Sequence, residues 1–440
     1  MAPTPDDAAL LAGRRARIME AMGGGVLLLA AAPERVRTGD VLYPYRQDSD
    51  FDYVTGFPEP EAVAVIAPDA PQRYLLFVRP RDPERELWVG HRAGPEGAVE
   101  RYGADAAHAL DDLEKVLAPL LEKAPHVYHT VLRDDPLAGR LLGLIRRAQA
   151  GRPRAGSGPT AIREPGEILH EMRLHKDAGE LARIRHAIAI ACEAHREAMR
   201  SARPGMLEYE LEALIDFTFR RRGASGPAYP SIVASGPNAT VLHYTSNDRP
   251  LGAEELILID AGAEQAGYCA DVTRTWPTGK RYSAPQRDLY EAVLAAQAAG
   301  IAAVCPGVTL EAVHTATLRV LVEALVRLGL LQGPVDEAIA KETYRRFYMH
   351  RTSHWLGRDV HDVGRYAENG APRALEPGMV LTVEPGLYIP AGAEDVPAPY
   401  RGVGIRIEDD VLVTEGGREV LSAAAPKQVA EVEALRAEAS

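Results

Sequence analysis

The amino-acid sequence predicts an α+β fold in two parts, a smaller α/β domain followed by a larger domain made of two similar halves. In this chain of 440 residues, Gly, Pro and Ser cluster between residues 150 and 166, where the apolar periodicity lapses. Beyond that cluster, the order helix, helix, strands, acidic pair occurs twice, which suggests an internal duplication of roughly 120 residues per half. The domains are therefore predicted at 1–166 and 167–440.

The first domain mixes helices and strands. The patterns predict a helix over 10–22, strands over 26–31, 61–67 and 72–78, a short strand around Trp88, and helices near 106–122 and 136–149. The segment 41–57 is polar and aromatic without a clean period. Such a segment favours a surface that meets a ligand or another subunit, whereas the alternative is that its aromatics pack against the domain's own helices.

The second domain begins with two helices and continues with strands. A long helical pattern over 167–201 is stopped by Pro204 and Gly205, and a second helix ends at Gly223. The remaining predicted elements are strands near 229–235, 241–245 and 256–276, helices over 284–304 and 309–328, and strands near 346–355, 379–389 and 402–414. A capping box of Ser283 and Gln286 marks the start of the third helix.

Composition excludes several classes of protein. The chain is 46% apolar and 25% charged, with a net charge of −12, so neither a nucleic-acid binder nor a membrane-surface protein is expected. No apolar run approaches the length of about 18 residues that a membrane span needs. The first twenty residues place acids before arginines, unlike a secretory signal. Cys192, Cys269 and Cys305 are odd in number and scattered, which predicts a cytoplasmic protein without disulfides.

Four acids on predicted strands are the candidates for chemistry. Asp260 and Asp271 flank a hairpin that contains two glycines, and Glu384 and Glu408 lie in the second half. Buried carboxylates need a cationic partner, and a metal ion is one candidate. For the hairpin alone, aspartates that cap a turn are the competing interpretation. Arg406 shares a strand face with Glu408, which fits either support for a metal-bound carboxylate or a plain surface pair.

Three histidines follow one another closely. His350, His354 and His361 lie within twelve residues, but no Glu follows His350 and nearby glycines favour loop over helix, so the helical zinc motif of zincins is not expected. One imidazole with four carboxylates suits Mn, Co or Zn ions. Two such ions about 3.5 to 4 Å apart would share a hydroxide and polarise a carbonyl.

Several stretches resemble aminopeptidase P, the Xaa-Pro aminopeptidases within the pita-bread metallopeptidases. The resemblance covers nearly the whole chain. In the second domain it is carried by LHY (242–244), LILIDAG (256–262), YCADVTRTW (268–276), SHWLGRDVHDVG (353–364), LEPGMVLTVEPGLYI (375–389) and GVGIRIEDDVLVT (402–414). In the first domain, YPYRQDSDFDYVTGFPEPEA (43–62) and Trp88 resemble the aminopeptidase P version.

The resemblance implies a pita-bread catalytic domain with pseudo-two-fold symmetry that follows the smaller α/β domain along the chain. It implies an exopeptidase that releases the N-terminal residue from peptides with proline in the second position. The implied nucleophile is a hydroxide that bridges two divalent metal ions. Mn²⁺ is the expected metal, with Co²⁺ and Zn²⁺ as alternatives. The implied metal ligands are Asp260, Asp271, His354, Glu384 and Glu408, with Asp271 and Glu408 bridging. The implied catalytic residues are His243, His350, His361, Glu384 and Arg406, and those implied to bind substrate are His243, His350, Tyr229 and Trp88.

The resemblance also implies proline-containing peptides as substrates and a homodimer or homotetramer in which the first domain covers the site of a partner subunit. The chain departs from the family at Arg351 and Thr352, where the family more often has a small residue and an aliphatic one. Two alternatives stay open: a prolidase, which cleaves only Xaa-Pro dipeptides, and a binding protein on the same scaffold. A tripeptide set against a dipeptide separates the two enzymes.

Overall fold

The computed structural model describes residues 4–132 and 136–438. It divides into two compact units, Met1–Met172 and Arg173–Ser440. The predicted boundary after residue 166 falls just before this division, inside the helix Gly166–Leu174, and it stays a prediction. Within the described ranges, no helix is both long enough and apolar enough to cross a membrane.

Among its described residues, the first unit contains six complete α-helices and eight strands. The helices are α1 Pro5–Met22, α2 Ser49–Thr55, α3 Pro83–Val89, α4 Gly94–Tyr102, α5 Leu113–Lys123 and α6 Pro136–Ala155. The strands are β1 Val26–Ala30, β2 Val36–Thr38, β3 Val41–Leu42, β4 Val63–Ile66, β5 Tyr74–Val78, β6 Ala106–Ala109, β7 Val127–Tyr128 and β8 Ile162–Arg163.

A six-stranded mixed sheet, in the order β6-β5-β4-β1-β7-β8, forms the centre of this unit. Its middle strands are buried on both faces, so they read as continuous apolar runs rather than as alternating patterns. Successive residues of β1 enter two different apolar clusters: Leu27 and Leu29 pack in one, and Val26 and Leu28 in the other. Helices therefore cover both faces of this sheet.

Three expectations for the first unit are wrong in whole or in part. The segment 41–57 is divided: Val41, Leu42 and Tyr43 are exposed, as expected of a surface. Helix α2, which begins at the N-cap Asp48, buries Phe51 and Tyr53 completely, and Phe57 after it is also fully buried, so these three rings pack within their own domain. Trp88 lies in helix α3 rather than in a strand, and 89% of its side chain is exposed. The helix predicted over 106–122 is wrong at its start, because residues 106–109 form strand β6, which pairs with β5 in parallel, and helix α5 begins only at Leu113.

The second unit repeats a pattern of two helices followed by strands. Its helices are α7 Gly166–Leu174 at the division, α8 Ala178–Ser201, α9 Glu208–Arg221, α10 Ala284–Ala303, α11 Leu310–Arg327, α12 Val335–Ala340 and α13 Val429–Ala437. Its strands are β9 Gly226–Pro227, β10 Ile232–Ser235, β11 Leu256–Asp260, β12 Ala263–Gln265, β13 Tyr268–Cys269, β14 Thr273–Pro277, β15 Ala367–Glu368, β16 Ala371–Pro372, β17 Val380–Val383, β18 Gly386–Ile389, β19 Val403–Arg406, β20 Asp409–Thr414 and β21 Gly417–Val420.

Each half contributes antiparallel strands to the centre of this unit. The first half forms the sheet β10-β11-β14, and the second forms β17-β20-β21 and the pair β18-β19. The four long helices α8 to α11 bury their apolar sides with these strands in one large cluster, which includes Ile188, Leu211, Val293 and Leu321. The ends of the central strands then carry the polar side chains described below.

Local sequence explains where three predictions for this unit fail. The long helix predicted over 167–201 is two helices, because Asp177 caps α8 and exchanges hydrogen bonds with Glu180. The predicted strands near 241–245 and 346–355 are absent from the described structure. The first of these segments follows the 3₁₀ helix Gly236–Thr240 as a turn, and the second makes only an isolated bridge between Trp355 and Leu381.

Candidate active site

The hairpin of the first half brings two carboxylates together without pairing them directly. Asp260 ends β11 and lies opposite Thr273, two residues beyond Asp271. The chain between them folds back so closely that a Cβ on Gly262 would lie 1.7 Å from the Ala270 carbonyl oxygen, which only glycine tolerates. The hydroxyl of Tyr229 joins the two acids, at 2.6 Å from Asp260 Oδ1 and 2.5 Å from Asp271 Oδ1.

The acids of the second half lie in two bends between strands. Glu384 follows β17, and Glu408 lies between β19 and β20, so the pairing of Val383 with Asp409 places the two bends side by side. Thr273 from the first half donates its hydroxyl to Glu408 Oε2 at 2.7 Å. This contact ties the two halves of the unit together at the acids.

The histidine segment lies against these four acids. His354 Nε2 is 3.3 Å from Asp271 Oδ2 and 3.5 Å from Glu384 Oε1. Its other ring nitrogen, Nδ1, lies 3.0 Å from the Trp355 carbonyl oxygen and donates to it. The ring of His361 packs edge-on against that of His354, with centroids 4.4 Å apart. The segment has no α-helix, as its glycines indicated.

Arg406 is a buried cation shared between the two halves. Its Nη2 donates to Asp260 Oδ2 at 2.6 Å and its Nη1 to the Tyr388 hydroxyl at 3.1 Å, and its Nε donates to the Thr273 hydroxyl at 3.2 Å. Only 4% of the residue is exposed. The surface-pair interpretation of Arg406 with Glu408 is therefore wrong, because the guanidinium binds the carboxylate of the opposite half.

One cavity of about 260 Å³ collects nearly all of these side chains, and we call it the central cavity. It is lined by Leu242, His243, Asp260, Asp271, His350, Arg351, Ser353, His354, His361, Glu384, Arg406 and Glu408. The five predicted ligands and the five predicted catalytic residues all line it. Tyr229 lines an adjoining cavity of about 250 Å³, and Trp88 lies in the other unit.

Burial and mutual repulsion disfavour the ionised form of three of the acids. Burial raises the pKa of Asp260, although Arg406 opposes the shift. Burial also raises the pKa of Glu384 to about 7, against the pull of His354, and burial with Asp271 raises that of Glu408 well above its usual range. For His354, burial lowers the pKa, but the hydrogen bond with Asp271 and the charge of Glu384 raise it to about 9. The site thus attracts positive charge.

The donor set fits divalent metal ions. Ligand atoms of Asp271, His354 and Glu408 lie within 4.8 Å of one another. Nδ1 of His354 carries its N–H to the Trp355 carbonyl, so in a neutral ring Nε2 carries a lone pair. That lone pair would face the carboxylates of Asp271 and Glu384, which is favourable only if a proton or a metal cation lies between them. A ligating histidine that donates its other N–H to a backbone carbonyl is the usual support of a protein metal site.

Sequence reasoning missed three supporting residues. Tyr388 joins Arg406 to His350, with its hydroxyl 2.8 Å from His350 Nε2, and Thr273 joins Arg406 to Glu408. Asp410 accepts the backbone N–H of Asp271 at 3.1 Å. Two of these residues could have been found from the alternation of side chains along a strand, in which residues two apart point to the same side. Thr273 lies two residues after the ligand candidate Asp271, and Asp410 lies two after Glu408.

Comparison with known proteins agrees with this arrangement. The family model of metallopeptidase family M24 matches residues 182–415, and the model of the aminopeptidase P N-terminal domain matches residues 11–128. The chain belongs to metallopeptidase family M24. The predicted fold, in which a pita-bread catalytic domain follows an aminopeptidase P N-terminal domain along the chain, is thereby confirmed.

Three similar proteins match this M24 chain over almost their full length. The Xaa-Pro aminopeptidase of Escherichia coli (strain K12) is 44% identical over 427 residues, 96% of each chain. Among solved structures, aminopeptidase PepP of Pseudomonas aeruginosa has 47% identity and a TM-score of 0.96, covering 100% of this chain and 99% of that one. Aminopeptidase P from E. coli with the inhibitor Pro-Leu has 43% identity and a TM-score of 0.94, covering 98% of both chains.

Proposed function

We propose that this M24 metallopeptidase is a Xaa-Pro aminopeptidase, which releases the N-terminal residue from peptides that have proline in second position. The observation that carries the proposal is the central cavity, where four acids and His354 converge beside three further polar groups, His243, His350 and His361. The names of the relatives support the same activity. They give no support to the prolidase alternative.

The metal ligands proposed are Asp260, Asp271, His354, Glu384 and Glu408, and they would hold two divalent ions. When bound, such ions supply Lewis acidity for the scissile carbonyl and make water acidic enough to act as a nucleophile near neutral pH. The oxygen-rich donor set favours Mn²⁺, with Co²⁺ and Zn²⁺ as alternatives.

Glu384 is proposed to carry the proton from water to the leaving nitrogen. That nitrogen belongs to proline and has no N–H, so the site needs no hydrogen-bond acceptor for it. It does need a group that gives the nitrogen a proton when the peptide bond breaks. Glu384 is held at the edge of the cavity, because its backbone N–H donates to the Thr352 carbonyl at 2.8 Å. A carboxyl group held in this way can accept and return a proton with little movement.

His350 acts through its ring face, because both of its nitrogens are occupied. Nδ1 donates to the Arg351 carbonyl at 2.7 Å, so Nε2 accepts from the Tyr388 hydroxyl, which in turn accepts from Arg406. Burial and Arg406 lower the pKa of His350 to about 4, so the ring is neutral at pH 7. A fixed neutral ring suits contact with the proline ring, which we propose lies between His350 and His243.

His361 is proposed to stabilise the oxygen that develops charge during hydrolysis. It lines the central cavity and touches the ring of His354, but unlike His350 it is exposed to solvent. Donors aimed at a developing oxyanion are a large contribution to catalysis. Tyr229 and Trp88 stay proposed substrate-binding residues.

We also propose a homodimer or homotetramer that works in the cytoplasm. Helix α3 exposes three consecutive apolar side chains, Leu87, Trp88 and Val89, each more than two-thirds exposed. A patch of this kind is typical of a protein contact. The three cysteines are unpaired, as expected in a reducing compartment.

Cleavage of three peptides tests the proposed function. We expect hydrolysis of Ala-Pro-Ala after the first residue, slow or absent hydrolysis of the dipeptide Ala-Pro, and none of Ala-Ala-Ala. Cleavage of Ala-Pro alone would instead identify a prolidase. Binding of all three peptides without any cleavage in the presence of Mn²⁺ would identify a binding protein.

A further inference from the structure

A second cavity opens beside the central one and shares part of its wall. It has a volume of about 540 Å³, and we call it the side cavity. The N-terminal turn of α11 and the hairpin β15-β16 line it, together with Thr352 and two residues that also line the central cavity, Arg351 and Ser353. A ligand in the central cavity can therefore extend past Arg351 into the side cavity.

The sizes of the neighbouring cavities indicate how a peptide lies. On the other flank, the cavity of about 250 Å³ shares His243, Asp260, Asp271 and His361 with the central cavity. An exopeptidase that releases one residue needs a small space on one side of the scissile bond and a longer path on the other. A third neighbour of about 410 Å³ shares His350 and Arg351 with the central cavity. The side cavity is larger than both of these neighbours, so it fits the residues after proline. This step rests on the proposed function.

The backbone at Arg351 and Thr352 is held firmly. The Thr352 side chain is fully buried, and its hydroxyl lies 2.8 Å from His314 Nδ1 and 2.7 Å from the Tyr348 hydroxyl. Its carbonyl accepts the backbone N–H of Glu384 at 2.8 Å. Arg351 therefore projects from a fixed point on the rim between the two cavities.

The Arg351 side chain carries donors suited to a carboxylate. It is 69% exposed, and its Nη1 donates to Glu311 Oε2 at 2.9 Å. That contact uses one of the five N–H donors of the guanidinium and fixes one side of the group. The remaining N–H donors can make a planar, two-point contact with a second carboxylate. A plain exposed ion pair with Glu311 is the competing explanation.

We propose that Arg351 is a specificity-determining residue that favours substrates with a carboxylate after the proline. The carboxylate belongs either to an acidic side chain at the third position or to the C-terminus of a tripeptide. In both cases it would bind the guanidinium at the entrance of the side cavity, which makes peptides with a carboxylate at this position the preferred substrate class.

Two pairs of peptides test this proposal on the Mn²⁺-loaded enzyme. Ala-Pro-Glu-Ala-amide against Ala-Pro-Gln-Ala-amide isolates the side-chain carboxylate, and Ala-Pro-Gln against Ala-Pro-Gln-amide isolates the terminal one. In at least one pair, we expect the peptide with the additional carboxylate to have a kcat/KM about three- to tenfold higher than its partner peptide, mainly through a lower KM. Arg351→Gln should bring that ratio close to one, and Arg351→Lys should keep part of it.

Arg287→Gln is the matched control. The Arg287 side chain is 53% exposed and pairs with Glu291 at 2.8 Å, much as Arg351 pairs with Glu311, but it is not among the described residues that line the central or the side cavity. It should leave the ratios unchanged. Equal ratios in wild type and Arg351→Gln, with all peptides cleaved, would overturn the role of Arg351 and leave the proposed function standing. No cleavage of any Xaa-Pro peptide by the wild type would overturn both.

Discussion

Replacing Asp362 with Asn should destabilise the catalytic unit strongly although Asp362 is none of the proposed ligands. Its Oδ1 accepts from Arg173 Nη2 at 2.6 Å and its Oδ2 from Lys176 Nζ at 3.0 Å. The three side chains are at most 2% exposed. The substitution keeps the shape of the side chain but leaves two buried cations without this shared carboxylate.

The expected size follows from that burial. Removing one member of a buried ion pair costs about 3–5 kcal/mol, because the remaining charge is left in a poorly solvated place. For a unit of this size, each kcal/mol corresponds to roughly 2 °C in Tm, so we expect a fall of about 6–10 °C. Asp359→Asn is the control: Asp359 also accepts from Arg173, at 2.8 Å, but is 35% exposed. Its loss should cost about 1 kcal/mol or less.

Denaturant unfolding of the three proteins, followed by fluorescence and checked for reversibility, measures both differences. The pH dependence supplies a second test. Burial alone would raise the pKa of Asp362, but Lys176 and Arg173 lower it below its usual range. The stabilisation is therefore complete above the unfolded-state pKa of about 3.9 and is lost as pH falls through the lower folded-state pKa. A difference below about 1 kcal/mol between Asp362→Asn and wild type at pH 7 would refute this reasoning.

Three further predictions concern the active site and the first unit. Asp260→Asn, Asp271→Asn and Glu408→Gln should each lose bound metal together with almost all turnover, measured by elemental analysis and peptide cleavage, and near wild-type turnover at saturating Mn²⁺ would disprove the ligand assignment. His361→Ala should lower kcat by about 10²- to 10³-fold with metal content intact, whereas parallel loss of metal would make His361 a ligand. Trp88→Ala should lower kcat/KM for a tripeptide and weaken the oligomer in sedimentation, and unchanged values of both would remove Trp88 from substrate binding.

Local patterns were enough to predict much of the catalytic unit. The capping box at Ser283, the apolar strand ending at Asp260 and the glycines that follow the three histidines each report directly on backbone conformation. The helix break at Asp177 was also readable, because Asp177 and Glu180 form a capping box of their own. It was missed because the apolar periodicity continues on both sides of the break.

Contacts between distant segments could not be predicted from the sequence. The partner of Arg406 is Asp260, 146 residues away, whereas sequence spacing suggested Glu408 on the same strand. In the first unit, Phe51 and Tyr53 lie in a polar stretch that looked like surface, but a short capped helix turns these two rings into the core. Tyr388 was overlooked because its role depends on two partners, His350 and Arg406, that only the fold brings to it.

Metal titration of chelator-treated protein tests the dinuclear peptidase assignment most directly. Bound Mn²⁺ is measured by elemental analysis at each step, together with the rate of Ala-Pro-Ala cleavage. We expect the treated protein to be inactive and the rate to rise until two ions are bound per chain, with no further rise beyond that. Full activity of the metal-free protein, or a full complement of two ions without cleavage of the tripeptide, would contradict the assignment.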